Sequence, residues 1–232
     1  MAKATGQGSA RAPRRTDSLS RELIVRSAIE ILDGGGEKAL TLRALTVRLS
    51  TGYGAIYHHV ADKGDLLAAA ADDVITGVLS GAAADAEPRA ALRGLALGLF
   101  DAIDAHPWAG AELSRQPWRP ALLDFYESIG RLLDALDVPE AVRFDAAGAL
   151  VNYVLGVAAQ NAANARLRAD NGDGDGRDRE TFLKDTAAQW ARIDPGRYPF
   201  VHAAATRLGE HDDREQFLVG VDIFIAGVSA LG

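Results

Sequence analysis

The chain has 232 residues, 48% of them hydrophobic and 25% charged, and no cysteine. That is enough chain to bury a core without cross-links, and it excludes disulfide frameworks, thiolate metal sites and a cysteine nucleophile. The net charge of −7 argues against a general polyanion binder, but residues 1–63 hold ten Lys/Arg against six Asp/Glu while the remainder holds fifteen against twenty-six; a basic front on an acidic body confines any phosphate contact to the N-terminal portion.

In chain order, residues 1–17 read as a basic disordered arm that leads into no apolar run, so no signal peptide or anchor is expected and a cytoplasmic location is the default. Ser20 then caps a first helix whose apolar positions Leu23, Ile24, Ala28, Ile31 and Leu32 keep helical spacing, with Asp33-Gly34-Gly35-Gly36 expected to end it. Thr41 caps a second, short helix with Leu42, Leu45 and Leu49 on one stripe and Arg43, Val47 and Arg48 off it. Ser50-Thr51-Gly52 breaks that pattern, and a third short helix is expected from about Tyr53 to His59, anchored by Ile56 and Val60. Two short helices joined by a tight turn behind a longer one make a helix-turn-helix unit.

A long connector helix is expected from Asp62 to about Glu87-Pro88. Further helices follow at about 89–105, 108–115, 119–136, 139–169, 180–193, 199–208 and 213–231, with prolines near their boundaries. No alternating strand pattern competes, so the fold class is all-α. Residues 146–165 carry no charge and have the length of a membrane span. Asn152, Gln160, Asn161 and Asn164 would be costly in lipid, whereas Gly148, Ala149, Gly156, Ala159 and Ala163 suit close helix packing, so a bundle helix is expected and no membrane partner.

The stretch ALTLRALTVRLSTGYGAIYHHVADKGDLL resembles the helix-turn-helix of the tetracycline-repressor (TetR) family of bacterial transcriptional regulators. With helix one the resemblance covers about residues 18–72. Two positions depart from the pattern: Ser50 stands where the turn usually has Gly, and Thr51 where an apolar Val or Ile is usual. The resemblance implies a helix-turn-helix DNA-binding domain at 18–64 and an effector-binding and dimerisation domain at 65–232, with a flexible loop at 169–179. It also implies that Thr41 and Arg43 reach the duplex, Arg43 by a bidentate contact with guanine or a clamp on phosphate. Tyr53, Gly54 and Ala55 would meet base edges or allow close approach. Tyr57, His59 and Lys63 match phosphate-contacting positions, and His58 flanks them.

By the same resemblance, double-stranded operator DNA, a homodimer and an unidentified small-molecule effector are the expected partners. The helix at 139–169 and the last helix would pair with their symmetry mates. The ending with Phe217, Gly220, Asp222 and Gly227, and the His106-Pro107-Trp108 triplet, look like those of the tetracycline-repressor type of C-terminal domain. An effector pocket is expected among Phe100, His106, Trp108, Trp118, Phe125, Asn152, Tyr153, Gln160 and Trp190, aromatic walls with a few amides.

Other chemistry competes for some of these residues. Adjacent His58 and His59 diverge by about 100° on a helix, so they are not expected to share a metal. Asn171-Gly-Asp-Gly-Asp-Gly opens like a calcium loop but has Phe182 where the bidentate Glu belongs, so a connection is expected instead. No G-x-S-x-G, H-E-x-x-H, Walker or dinucleotide motif occurs, and neither catalysis nor a cofactor is expected. The competing functional reading is a small-molecule-binding or enzymatic bundle whose front motif is vestigial.

Overall fold

The computed structural model describes residues 19–81, 86–115, 118–170 and 179–231. The arm at 1–17 and the acidic glycine-rich stretch from Asn171 therefore lie outside the described residues, the latter up to 178.

Among the described residues every regular element is a helix, and the local reasons are visible at their ends. The helix α1 spans Arg21–Ala39 and starts on Ser20, whose hydroxyl accepts from the Leu23 N–H at 3.2 Å. α2, Leu42–Leu49, starts in the same way on Thr41, which accepts from the Ala44 N–H at 3.1 Å. α3 is Tyr53–Tyr57 and α4 is Lys63–Gly81. The body follows as α5, Pro88–Ala105; α6, Ala109–Arg115; α7, Pro120–Ala135; α8, Glu140–Asp170; α9, Arg179–Trp190; α10, Pro199–Leu208; and α11, Asp213–Ser229. Prolines open α5, α7 and α10, where the missing N–H has no helical acceptor in any case.

The first helix corrects one expectation. Gly34 and Gly35 keep helical backbone, and the break is a bend at Gly36, at φ +64° and ψ −169°, a conformation only glycine adopts without strain. A methyl group at Gly35 would lie 2.6 Å from the Ala39 Cβ, so the chain can fold back after the bend only over a bare backbone at 35.

The connector α4 is the hub. Leu66 to Ala71 are all buried, and four consecutive alanines let α1, α5, α6 and α7 approach it from different sides. α5 lies at the centre of the body against α4, α7, α8 and α11. Phe100 of α5 stacks on Phe217 of α11 with ring centroids 4.3 Å apart, and Tyr153 of α8 covers the other side of Phe217 and donates to its carbonyl at 3.2 Å. Gly220 is required there: a Cβ would stand 1.9 Å from the Tyr153 hydroxyl. Along the outside, Arg93–Asp222 at 2.9 Å and Arg214–Asp101 at 3.1 Å strap α11 to α5, exposed pairs that fix register more than they stabilise.

Residues Glu140–Asn161 of α8 are long and apolar enough, by length and composition, to cross a membrane. Leu150, Val151, Val154 and Ala158 of that stretch are buried in the bundle, though two thirds of the apolar window is not. One expectation for α8 changes: Asn152 and Gln160 lie on the exposed side of the chain with Ala149, Gly156 and Ala159, opposite that buried stripe.

Candidate nucleic-acid interface

The turn between α2 and α3 shows how the sequence builds this surface. Ser50 sits in the left-handed region at φ 50°, ψ 45°, and the turn closes with Ser50 N–H to the Val47 carbonyl at 3.3 Å and Thr51 N–H to the Thr46 carbonyl at 3.1 Å. A serine there costs about 1–2 kcal/mol relative to an unstrained backbone. From Gly52 the chain enters α3, whose single buried side chain, Ile56, inserts fully into a core shared with Leu45 and Val60. Burial of that one side chain is worth about 1.5–3 kcal/mol and sets which face of α3 looks outward.

What faces outward is the expected set. Thr41, Arg43, Gly54, Ala55, His58 and Lys63 are exposed, Tyr53 and Tyr57 are 51% and 52% exposed, and His59 is half-buried. These residues come from α2, α3 and the start of α4. Val47, which no motif singled out, is 73% exposed on α2 one turn after Arg43, making it the most exposed large apolar side chain of this surface. Its signal in the sequence was its place off the Leu42/Leu45/Leu49 stripe.

Two glycines lie on this surface. A Cβ at Gly52 or Gly54 would meet no atom within 4 Å, and both have negative φ. Neither packing nor backbone conformation within the chain requires a glycine there, and glycine inside a five-residue helix costs about 1 kcal/mol. Gly54 in α3 and Gly52 at its N-cap therefore leave the exposed backbone bare beside Tyr53 and Tyr57, as Gly77, Gly94 and Gly130 do elsewhere in the bundle.

The surface is held rigidly. Arg21 of α1 forks onto Asp65 at 3.2 and 3.4 Å and donates to the His59 carbonyl at 2.7 Å, so one guanidinium ties α1, the end of α3 and the start of α4 together. Asp65 also accepts from the Ala61 N–H at 3.1 Å, while Asp62 accepts from the Asp65 N–H at 2.8 Å. The Arg21 hydrogen bond holds the Asp65 carboxyl below its ordinary range, so the pair stays ionised at neutral pH.

The cations differ in how they are used. Arg48 is spent on Glu30, and Lys63 donates to the Glu37 carbonyl at 2.6 Å. The Arg43 guanidinium engages nothing among the described residues and projects from the first turn of α2. Residues 19–63 carry six Lys/Arg against five Asp/Glu, so most of the basic surplus read from the first 63 residues belongs to the N-terminal arm. His58 and His59 stand edge-on with centroids 5.3 Å apart, and no group of three metal-ligand side chains includes them among the described residues.

The residues expected around an effector do not share one cavity. Phe100 and Phe125 are core, Trp118 is 68% exposed, Asn152 and Gln160 face outward, Tyr153 packs on Phe217, and Trp190 closes α9. His106 and Trp108 instead meet at the α5–α6 corner, where both approach Asp33 of α1. A groove of about 730 Å³ runs between α1, α4 and α5, floored by small residues that include Gly77, Gly94 and Gly98, with His106 at its edge. Of the nine residues only His106 lines it. A composition of aromatics and amides cannot distinguish core from pocket before the helix faces are known.

A family model described as "Tetracyclin repressor-like, C-terminal domain" matches residues 83–231. The structure of the transcriptional regulator SCO7222, a TetR from Streptomyces coelicolor, is 46% identical, covers 92% of this chain and 99% of that one, and superposes with a TM-score of 0.81. The Streptomyces coeruleorubidus HTH-type transcriptional repressor DrrR1 is 27% identical over 98% of this chain and 83% of its own length. Streptomyces coelicolor ActR, solved with actinorhodin, shares the fold at a TM-score of 0.74 and 21% identity, covering 91% of this chain and 96% of that one.

Proposed function

This chain belongs to the tetracycline-repressor family of transcriptional regulators, and from that premise we propose that it is a homodimeric repressor that reads operator DNA with α3 and leaves it when a small molecule binds the body. Relatives of this chain are transcriptional regulators, one of them a repressor. The observation that carries the reading is the bare, rigidly mounted face of α3: two glycines that nothing inside the chain requires, flanked by the exposed phenols of Tyr53 and Tyr57. A recognition helix in the major groove needs that close backbone approach, with donors at its rim for base edges and phosphates.

In this reading Arg43 and Thr41 meet the duplex from the start of α2. Tyr53 and Ala55 face base edges, Tyr57, His58 and His59 lie along the backbone, and Lys63 anchors a phosphate. The second copy pairs through the outward faces of α8 and α11, where Gly156, Ala149 and the 68% exposed Ile223 offer a flat surface of small and apolar residues. The two recognition helices then address two half-sites. The groove between α1, α4 and α5 is where we place the effector: its volume is in the range of small-molecule sites, and it touches both the DNA-binding unit and the body.

The test is selection of genomic DNA fragments by the purified full-length chain, followed by titration of the enriched fragment at several salt concentrations. Nanomolar binding to a near-palindrome, steeply weakened by salt, is expected. Absence of any preferred duplex at low ionic strength would leave the vestigial-motif reading in its place.

A further inference from the structure

We propose that Val47 is a specificity-determining residue for operator recognition, reading the C5-methyl group of a thymine in each half-site beside the contact made by Arg43. The proposal rests on the dimeric, operator-binding reading above. It starts from the side of α2 that the fold leaves open. Leu45 is fully buried and Leu42 and Leu49 pack against the same core, which fixes the inward stripe. At about 100° per residue Val47 stands almost diametrically opposite that stripe, and Arg43, four positions earlier, lies about 40° from it on the same outer side.

The neighbouring polar groups of α2 are turned to other uses. Arg48 reaches back to Glu30 of α1, and the Thr46 hydroxyl donates to the Arg43 carbonyl at 2.9 Å. Beyond Val47 the helix ends in the turn to α3, where the Ser50 N–H donates to the Val47 carbonyl at 3.3 Å. Along α2, Val47 therefore lies between Arg43 and the turn into α3, with 73% of its surface exposed.

Chemistry selects its complement. Among the described residues of the DNA-binding unit, the exposed large apolar or aromatic side chains are Val47, Tyr53 and Tyr57. The two tyrosines carry hydroxyls that can meet phosphates or base edges, whereas Val47 offers hydrocarbon alone. A branched Cβ also restricts χ1 in a helix, so helix propensity does not account for a valine on the open face. In the major groove the one hydrocarbon substituent on a base edge is the thymine methyl; the groups that distinguish the other bases there are hydrogen-bond donors and acceptors. The four-residue separation from Arg43 is about 6 Å along α2, or roughly two base-pair steps, which places the thymine within about two base pairs of the Arg43 contact.

The experiment uses the full chain and the selected operator, with each thymine in turn, together with its symmetry mate, replaced by deoxyuridine. That exchange removes the methyl and keeps every hydrogen-bonding group. For wild type one symmetric pair is expected to weaken binding about 15-fold, or about fourfold per half-site, the value of one buried methyl in each. Val47→Ala is expected to bind the parent operator more weakly by a similar factor, and to show no further loss when that same pair is demethylated. Losses at thymines met by Ala55, or sensed through duplex stiffness, stay the same in both proteins, so the non-additive position is the one Val47 touches. The variant removes no buried side chain and should melt at or slightly above the wild-type temperature.

Equal deoxyuridine losses in the two proteins at every position overturn the assignment, as does a Val47→Ala variant of unchanged operator affinity. Operator binding that no thymine substitution alters overturns the role of Val47 and leaves the operator reading standing. A wild type with no preferred duplex overturns both.

Discussion

Arg43→Ala is the substitution that separates a DNA contact from a structural role most cleanly. The guanidinium is exposed on the first turn of α2 and makes no interaction among the described residues, so its removal should change folding stability by less than about 0.5 kcal/mol. In a complex each copy would lose a base or phosphate contact worth about 1–3 kcal/mol. Two copies give about 2–6 kcal/mol per dimer, at least about 30-fold in affinity by the tenfold-per-1.4 kcal/mol rule. Arg48→Ala is the internal comparison: the same residue type on the same helix, also exposed, but occupied by Glu30, so its removal should cost an exposed ion pair of at most about 1 kcal/mol and little affinity.

The assay is fluorescence anisotropy with the selected operator across a salt series, alongside thermal melting. If Arg43 clamps a phosphate, the logarithmic salt slope should fall by about two per dimer; if it reads a guanine, the slope should hold and discrimination at one position of each half-site should relax. Arg43→Ala at wild-type affinity and slope, or an affinity loss matched by a comparable loss of stability, would refute the assignment.

Three further outcomes are expected. Ser50→Gly should raise the melting temperature by an amount equivalent to about 0.5–1 kcal/mol, the left-handed strain at φ 50° less the entropy added to the unfolded chain, and a lower midpoint would contradict the turn geometry. Asp65→Asn should lower stability at pH 7 by no more than about 1 kcal/mol, since the pair is partly exposed, and should flatten the pH dependence. The Asp65 carboxyl is held low in the fold by the Arg21 hydrogen bond, so its contribution is present above its ordinary value and lost as pH falls through the lowered one, and acid titrations of the two proteins should converge once that carboxyl is protonated. Ile223→Asp, on the exposed side of α11, should give a monomer in sedimentation while helical content is unchanged, and a dimer of unchanged strength would move the interface elsewhere.

The helix-turn-helix was legible because its determinants are local. Ser20 and Thr41 announce helix starts within three residues of the N–H groups they accept, and Leu45 and Ile56 declare the inward stripe by spacing alone. The departure at Ser50 was also legible, since a turn that normally takes glycine must put its replacement at positive φ. The α5–α6 corner was not legible for the opposite reason: His106 and Trp108 meet Asp33 across 73 and 75 residues of chain, and nothing near His-Pro-Trp indicates the partner. The aromatic residues of the body were ambiguous in the same way, because the role of Phe125 or Trp118 depends on which neighbouring helix covers it, a tertiary fact that composition does not hold.

The glycines make the distinction sharpest, because residue type is identical and only surroundings differ. Gly36 is required by backbone angle, Gly35 by the Ala39 methyl and Gly220 by the Tyr153 hydroxyl, so each has its reason inside the chain. Gly52 and Gly54 have none: their angles suit any residue and their Cβ positions are open. Local sequence reads all five alike as breakers or small residues. Openness alone does not single these two out, since Gly77, Gly94 and Gly130 are as open; what distinguishes Gly54 and the N-cap Gly52 is their place beside the exposed Tyr53, Tyr57 and Arg43, where a bare backbone can approach a surface outside the chain.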